Sequence, residues 1–382
     1  MRIIFLSSDI SEFSGWGRYT RELCMALFKK NISFEVHLPP SASRDTSLPF
    51  AKSLYYDLPP FYLFLGKRWW RYIYLWWKSH QIAVKGDIIH SLVEHPYGVI
   101  GHLLSEQKNI PFGITLHGTY AVEPLRRKLD RSVFQRALQC ANFLVAVSRF
   151  TASKICKVVN KKLPVTIIHN GVNYSYFANN SQVIETLAIR KKLGIPKDAK
   201  LIISVGAFKE RKGIDILLQA FAKVLTQEPL VYLIVIGSGD PKPYIELSER
   251  LGILEHVYFL KNLSDRELLM YYHACNLFAL LPREDRNGHF EGFGLVYLEA
   301  NACGKPVIGT WSGGVPEAVK HEYTGLLVPP DDPEAAAEAM LLLLRDNKLA
   351  EHLGMRGRIW AQRHEWRVIS EKYIQIYKNL LE

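Results

Sequence analysis

The sequence predicts an α/β protein made of two Rossmann-like domains facing across a cleft, each built on a parallel sheet. Three observations predict it. Short β-branched runs alternate with amphipathic stretches, the alternation starts afresh near residue 200, and 382 residues suffice for two domains of ordinary size. The polar segment Asn173–Ile195, with Asn179-Asn180-Ser181 and Arg190-Lys191-Lys192, marks the join. The domains are therefore expected at 1–175 and 176–363.

In the first half the β-branched runs are Arg2–Leu6, Phe34–Leu38, Ile88–His90, Phe112–Leu116, Phe143–Val147 and Val165–Ile168. Helices are expected at Arg18–Lys30, Leu125–Cys140 and Arg149–Asn160. The second half repeats the pattern with strands at Leu201–Val205, Val231–Ile236, Val257–Phe259, Leu277–Leu280, Val307–Gly309 and Gly325–Val328. Between them, helices are expected at Gly213–Leu225, Tyr244–Leu251, Asp265–Ala274, Leu295–Ala302 and Pro333–Asp346. The last stretch places apolar residues at Trp366, Ile369, Tyr373, Ile376, Tyr377 and Leu380, the spacing of an amphipathic helix.

With 48% apolar and 22% charged residues, the chain reads as globular rather than disordered. No window offers 18 uninterrupted apolar residues, and the run at Ile3-Ile4-Phe5-Leu6 is too short for a signal peptide. Five scattered cysteines show neither metal spacing nor a disulfide framework, so a cytoplasmic location is expected. The net charge of +11 is uneven: residues 1–175 hold 23 Lys and Arg against 11 Asp and Glu, whereas residues 176–382 hold 25 against 26. Basic clusters lie at Lys67, Arg68, Arg71 and Lys78, at Arg126, Arg127, Lys128 and Arg131, and at Lys154, Lys157, Lys161 and Lys162. Such asymmetry points to an anionic membrane surface or a nucleic acid, or it is simply a basic surface. Tyr55–Trp77 is rich in rings, among them Phe61, Tyr62, Phe64, Trp69, Trp70, Trp76 and Trp77. Rings among cations suit a membrane interface or glycolipid acceptor, or else they fill the core of the first domain.

The densest chemistry lies in Glu291-Gly292-Phe293-Gly294-Leu295-Val296-Tyr297-Leu298-Glu299, which runs on to Gly304-Lys305-Pro306-Val307-Ile308. Two carboxylates flank a Gly-Phe-Gly turn that opens a helix, and the helix N-terminus offers unpaired N–H groups to a phosphate. Glu291 and Glu299 are placed to hold hydroxyls on opposite sides of a diphosphate, as a nucleotide-sugar requires. Val205-Gly206-Ala207-Phe208-Lys209-Glu210-Arg211-Lys212-Gly213 leaves the first strand of the second domain, and its cations suit a leaving diphosphate.

Together with Gly313-Gly314-Val315-Pro316-Glu317 and Gly325-Leu326-Leu327-Val328-Pro329, this order resembles the C-terminal domain of retaining GT-B glycosyltransferases of the family 4 type. That family includes glycogen synthases and phosphatidylinositol mannosyltransferases. The resemblance implies a GT-B fold, with the 1–175 domain binding the acceptor and the 176–363 domain binding the donor. The last helix, about 364–382, would cross back to the first domain. It further implies that Glu299 holds the ribose, Glu291 the sugar, and Lys212 the departing diphosphate, with Gly292, Phe293, Gly294, Leu295 and Gly206 lining the donor site. The family's arginine after the first glycine is Ala207 here, so Arg211 or Lys209 would take its place.

Ser14-Gly15-Trp16-Gly17-Arg18-Tyr19 is similar to the family's glycine-rich loop near donor phosphates and acceptor, and His117 to its histidine beside the transferring sugar. A dinucleotide fingerprint with Glu35 as its acid fits poorly, because Gly15 stands well beyond Leu6 and the third glycine is absent. Glu284 and Asp285 lack a third metal ligand. No metal or other cofactor is expected, and no nucleic-acid partner. The expected activity is retaining transfer of a hexose from a nucleoside-diphosphate sugar to an acceptor hydroxyl, on a glycan or glycolipid, in the cytoplasm or at the inner face of a membrane. The competing readings are a nucleotide-sugar epimerase or phosphorylase, and a non-catalytic nucleotide-sugar-binding partner.

Overall fold

The structure, a computed structural model, describes residues 1–12, 14–60, 68–179 and 189–382. The chain divides into two compact units: Met1–Gly171 with Trp366–Glu382, and Val172–Glu365.

The first unit carries a seven-stranded sheet built from β1 (Arg2–Leu6), β2 (Ser33–His37), β3 (Leu54–Tyr55), β4 (Ile88–Ser91), β5 (Phe112–Leu116), β6 (Phe143–Ala146) and β7 (Val165–Ile167). The strand order is β3-β2-β1-β4-β5-β6-β7, and every pairing is parallel. In β1 the residues Ile3, Ile4, Phe5 and Leu6 are all buried, as a strand covered on both faces requires. The second unit carries a six-stranded parallel sheet of β8 (Lys200–Val205), β9 (Val231–Ile236), β10 (Val257–Leu260), β11 (Leu277–Ala279), β12 (Val307–Thr310) and β13 (Gly325–Val328). Its order is β10-β9-β8-β11-β12-β13.

Every expected strand is present to within a residue or two at its ends. The helices show larger differences. The expected helix Leu125–Cys140 is two elements, a 3₁₀ turn at Glu123–Arg126 and a helix at Lys128–Cys140, because Arg127 between them is extended at φ −107°, ψ 124°. Helices at Tyr97–Lys108 and Asn347–Arg363 and the short strand Leu54–Tyr55 were not anticipated. The first of these is buried along most of its length and so lacks the amphipathic period that marks a surface helix.

The aromatic segment contains a further unanticipated helix, Trp70–Gln81, in which Leu75 and Ser79 are the buried residues. Trp69, Trp70, Trp76 and Trp77 are 65%, 53%, 48% and 51% exposed, so these indoles are not core. Phe61, Tyr62, Phe64 and Lys67 lie outside the described residues, as do Asn180 and Ser181 of the expected join.

The last helix, Trp366–Leu381, belongs to the first unit and buries Trp366, Ile369, Tyr373 and Tyr377 against it. Its tyrosines also make polar contacts. The Tyr373 hydroxyl lies 2.5 Å from that of Tyr19, and the Tyr377 hydroxyl lies 2.7 Å from Nδ1 of His90. Nε2 of His90 lies 2.8 Å from the Thr115 hydroxyl. Burial pushes the His90 pKa down to about 3, so the ring is neutral and serves as a structural link.

The Tyr19–Tyr373 pair generates a stability prediction. Tyr373→Phe leaves a buried hydroxyl short of a partner and should destabilise the first unit by about 1–3 kcal/mol. Adding Tyr19→Phe should recover part of that loss, because both polar groups are then gone. Denaturant melts of the two variants check this, and a double variant less stable than Tyr373→Phe would refute it.

Candidate active site

In an open parallel sheet, ligands bind where neighbouring strands send their connections in opposite directions. In the second unit that point lies between β8 and β11. The loop leaving β8 ends in a 3₁₀ turn, Glu210–Lys212, followed by Gly213 at φ +64°. A Cβ at Gly213 would lie 1.8 Å from the carbonyl oxygen of Leu281, so only glycine lets this loop lie directly on the one leaving β11. The Arg283 N–H donates to the Arg211 carbonyl at 3.0 Å. The Arg283 guanidinium bonds Asp215 and Asp331, each at 3.0 Å, and so fastens the inserted loop to its neighbours.

Lys212 and Arg211 converge from this turn on one oxygen. Lys212 Nζ lies 2.5 Å and Arg211 Nη1 2.9 Å from Oε2 of Glu291, whose side chain is 13% exposed. Burial alone would raise the Glu291 pKa, but the charges and hydrogen bonds of Lys212 and Arg211 outweigh it and hold the carboxyl at about 2. Burial depresses the Lys212 pKa, Glu291 opposes that, and Arg211 adds to it. Lys209 stands exposed at the start of the turn. Gly206, at the end of β8, donates its N–H to Ile236 at 2.9 Å.

The main chain of Glu291 is also gripped. Gly314 N donates to its carbonyl at 2.8 Å, and Gly313, at φ +58°, approaches so closely that a Cβ there would lie 2.4 Å from that oxygen. Gly292 and Phe293 are buried, and Gly294 adopts the left-handed conformation that opens the helix Leu295–Ala302. No side chain caps that helix, so its first-turn N–H groups remain suited to an anion. Glu299 is 3% exposed and accepts a hydrogen bond from the Tyr272 hydroxyl at 2.8 Å. The two glutamates therefore differ: one is answered by two cations, the other is bonded by a neutral phenol.

Sequence reasoning missed Tyr272, and also Tyr297, whose hydroxyl donates to the Leu280 carbonyl at 2.7 Å. A tyrosine on a helix carries no local signal of such a contact.

The first unit has its own reversal point between β1 and β4. After β1, Asp9 organises the loop by accepting from Ile10 N at 2.8 Å, Ser11 N at 3.1 Å and the Ser14 hydroxyl at 2.8 Å. Burial works to raise the Asp9 pKa, but hydrogen bonds from Ser11 and Ser14 keep it below the usual carboxylate value. Asp9 was also missed, although its spacing to Ser11 and Ser14 is a legible side-chain-to-backbone turn. Ser14 caps the helix Gly15–Phe28 by accepting from Gly17 N at 2.9 Å. The two glycines do different jobs. A Cβ at Gly17 would lie 2.3 Å from the Ser11 carbonyl, whereas Gly15 is exposed with nothing near.

His117 ends β5. Its Nε2 lies 2.7 Å from the Leu92 carbonyl, its backbone N–H donates to Glu94, and its ring meets Tyr19 edge-on at 4.5 Å. Burial lowers its pKa to about 4, so the imidazole is neutral at neutral pH.

The remaining candidates hold the fold. Glu35 pairs with Arg2 at 2.8 Å and His37 at 3.2 Å in the interior of β2, away from a strand end where a ribose would sit. Asp285 closes its own turn, accepting from Asn287 N and His289 N at 2.9 Å each. Among the described residues no three His, Cys, Asp or Glu side chains gather as a metal site.

Comparison with known proteins gives a consistent result. Residues 185–360 match the family described as Glycosyl transferases group 1, and residues 13–176 the one described as Glycosyltransferase Family 4. A D-inositol 3-phosphate glycosyltransferase of Corynebacterium urealyticum is 34% identical over 79% of this chain and 73% of its own. A GDP-mannose-dependent alpha-(1-6)-phosphatidylinositol monomannoside mannosyltransferase of Mycolicibacterium smegmatis is 32% identical over 66% of each chain. Among solved structures, a sucrose-phosphate synthase from Thermosynechococcus elongatus superimposes with a TM-score of 0.83 at 25% identity, covering 100% of this chain and 99% of that one. The chain belongs to the GT-B glycosyltransferases of the family 4 type and is a nucleotide-sugar-dependent hexosyltransferase.

Proposed function

We propose that the enzyme works with retention, moving a hexose from a nucleoside-diphosphate sugar to a hydroxyl of a membrane-associated glycolipid or polysaccharide precursor. The observation that carries this reading is the convergence of Lys212 and Arg211 on Glu291, close in sequence to an uncapped helix N-terminus at Gly294–Leu295. A donor diphosphate meets fixed positive charge there, while Glu291 and Glu299 accept from the hydroxyls of sugar and ribose. As the glycosidic C–O bond breaks, negative charge grows on the diphosphate, and Lys212, assisted by Arg211, stabilises it. The acceptor hydroxyl attacks from the face the diphosphate leaves, and its proton passes to a departing phosphate oxygen. Arg211 supplies the cation that Ala207 lacks, with Lys209 at the rim. This charge set makes a divalent metal unnecessary.

The first unit takes the acceptor, and the Gly15–Gly17 loop and His117 serve as substrate contacts, the loop toward donor phosphates and acceptor and His117 toward the transferring sugar. A lipid acceptor is supported by the Mycolicibacterium relative, whose name gives phosphatidylinositol monomannoside as substrate. It is also supported by the four exposed indoles at Trp69, Trp70, Trp76 and Trp77, beside Arg68 and Arg71. No helix among the described residues is long and apolar enough to cross a membrane. Peripheral attachment to an anionic leaflet on the cytoplasmic side is the arrangement these features support.

Glu299→Ala should weaken binding of the free nucleoside diphosphate by about 1.5–3 kcal/mol, the worth of hydrogen bonds to a charged acceptor. Glu291→Ala should instead spare the bare nucleotide and penalise the intact sugar donor. Calorimetric titration checks both, and unchanged nucleotide affinity in a folded Glu299→Ala protein would refute the ribose assignment.

Turnover should survive exhaustive chelation, and under those conditions Lys212→Ala should lower kcat by roughly 10²–10³, the usual cost of one preorganised transition-state contact. Donor affinity should fall less. Equal losses would reduce Lys212 to a binding residue, and activity that chelation abolishes and magnesium restores would overturn the metal-free mechanism.

The protein should co-sediment with anionic vesicles and not with neutral ones, with binding that weakens as salt rises. Arg68→Gln with Arg71→Gln should release it without changing donor affinity. Equal binding to both vesicle types at low salt would defeat the membrane reading and favour a soluble glycan acceptor.

A further inference from the structure

The loop leaving β4 holds a carboxyl that the reaction as described does not use. Glu94 is fully buried, its Oε1 accepts the backbone N–H of His117, and its Oε2 makes no hydrogen bond among the described residues. Leu92, two residues earlier, takes the other end of the same histidine: its carbonyl oxygen lies 2.7 Å from Nε2. A carbonyl can only accept, so Nε2 carries the proton and Nδ1 is a bare lone pair. Nδ1 has no hydrogen-bond partner among the described residues, and the side chain is only half-buried. Tyr19 blocks one side of the ring at 4.5 Å. Gly98 N donates to the Glu94 carbonyl at 2.6 Å and ties the loop to the start of the helix Tyr97–Lys108.

Keeping a carboxyl dry is costly, and burial pushes the Glu94 pKa up to about 7 despite backbone N–H groups that favour its charge. A backbone N–H at a strand end needs no such partner, since a water molecule would satisfy it. What the carboxyl adds is a fixed, short-range anchor on the residue whose ring orientation matters.

We propose that Glu94 is a positioning residue: with the Leu92 carbonyl it clamps His117 at backbone and ring, so that the neutral imidazole presents bare Nδ1 to a hydroxyl of bound substrate. The proposal rests on the reading of His117 as a substrate contact. Without the clamp, the strand end slackens, Leu92 and the ring lose register, and both tautomers and other ring orientations are sampled.

Two measurements on the full-length protein test it. In a double-mutant cycle, Glu94→Ala should lower kcat by about 10–100-fold with donor KM little changed, since small misplacements near reacting groups cost up to about 10². His117→Ala should lower kcat at least as much, and the double variant should be no worse than His117→Ala alone. Glu94→Gln, which keeps an oxygen for the His117 N–H, should restore most of the rate; if Glu94→Ala does not fold, Glu94→Leu, which fills the space but offers no acceptor, takes its place in both measurements. In ¹⁵N-histidine spectra, His117 should be the Nε2–H tautomer in wild type and Glu94→Gln, and a mixture in Glu94→Ala. Losses that multiply in the cycle, or a His117 tautomer indifferent to Glu94→Ala, would overturn the proposal. If His117→Ala impairs turnover and Glu94→Ala does not, the positioning role alone is refuted. A His117→Ala protein with undiminished kcat would instead remove the reading of His117 on which it rests.

Discussion

A carboxylate nearly out of water stays ionised only if its charge is answered close by, and Arg211 and Lys212 answer Glu291 on a single oxygen. Much of the second unit's local architecture follows from meeting that condition. The two cations reach one oxygen because the loop after β8 lies flat on the loop after β11, which Gly213 alone permits. Glu291 cannot retreat because Gly313 and Gly314 hold its main chain. The turn that begins there ends by starting a helix with no side-chain cap, so its N–H groups are left for an anion. In the proposed reaction the donor brings a second anion to the same cations, and the ion pair already present keeps them oriented before it arrives.

The first unit relies on carboxyls held by hydrogen bonds rather than by cations at its reversal point. Its sheet reverses between β1 and β4, and the loops there are set by Asp9 and by Glu94. Behind them, hydroxyls and rings replace ion pairs: Tyr19, Tyr373, Tyr377, Thr115 and neutral His90 join the last helix to the sheet. Tyr19 belongs to both systems, because it bonds Tyr373 on one side and packs on His117 on the other. The last helix thus touches the strand end that carries His117 through one intervening side chain.

The surface shows a different economy. A helix that buries Leu75 and Ser79 and leaves Trp70, Trp76 and Trp77 half in solvent is not stabilised by those rings through folding of the unit. Exposed indoles beside arginines gain from burial only at some other apolar boundary, and a lipid interface supplies apolar tails and anionic headgroups together.

Read alone, the sequence determined the parallel-sheet architecture, the two-domain plan and the family. The reason is that each is written in local order: β-branched runs, helical periods, and glycines and acids at fixed spacing along one segment. Glu291, Glu299 and the Gly-Phe-Gly turn stand out as candidates because they lie within one short segment, and Lys212 because it sits in a separate cation run closed by a glycine. The tertiary structure decided what depends on contacts between distant segments. It set Arg211 beside Lys212 on Glu291, 80 residues away in the chain, and joined Tyr272 to Glu299 and Glu94 to His117. It also turned the tryptophans outward, since a ring-rich segment reads the same whether its rings face a core or water. No local pattern encodes these pairings, because each partner is an ordinary residue in its own neighbourhood and becomes specific only when the fold brings the two distant segments together.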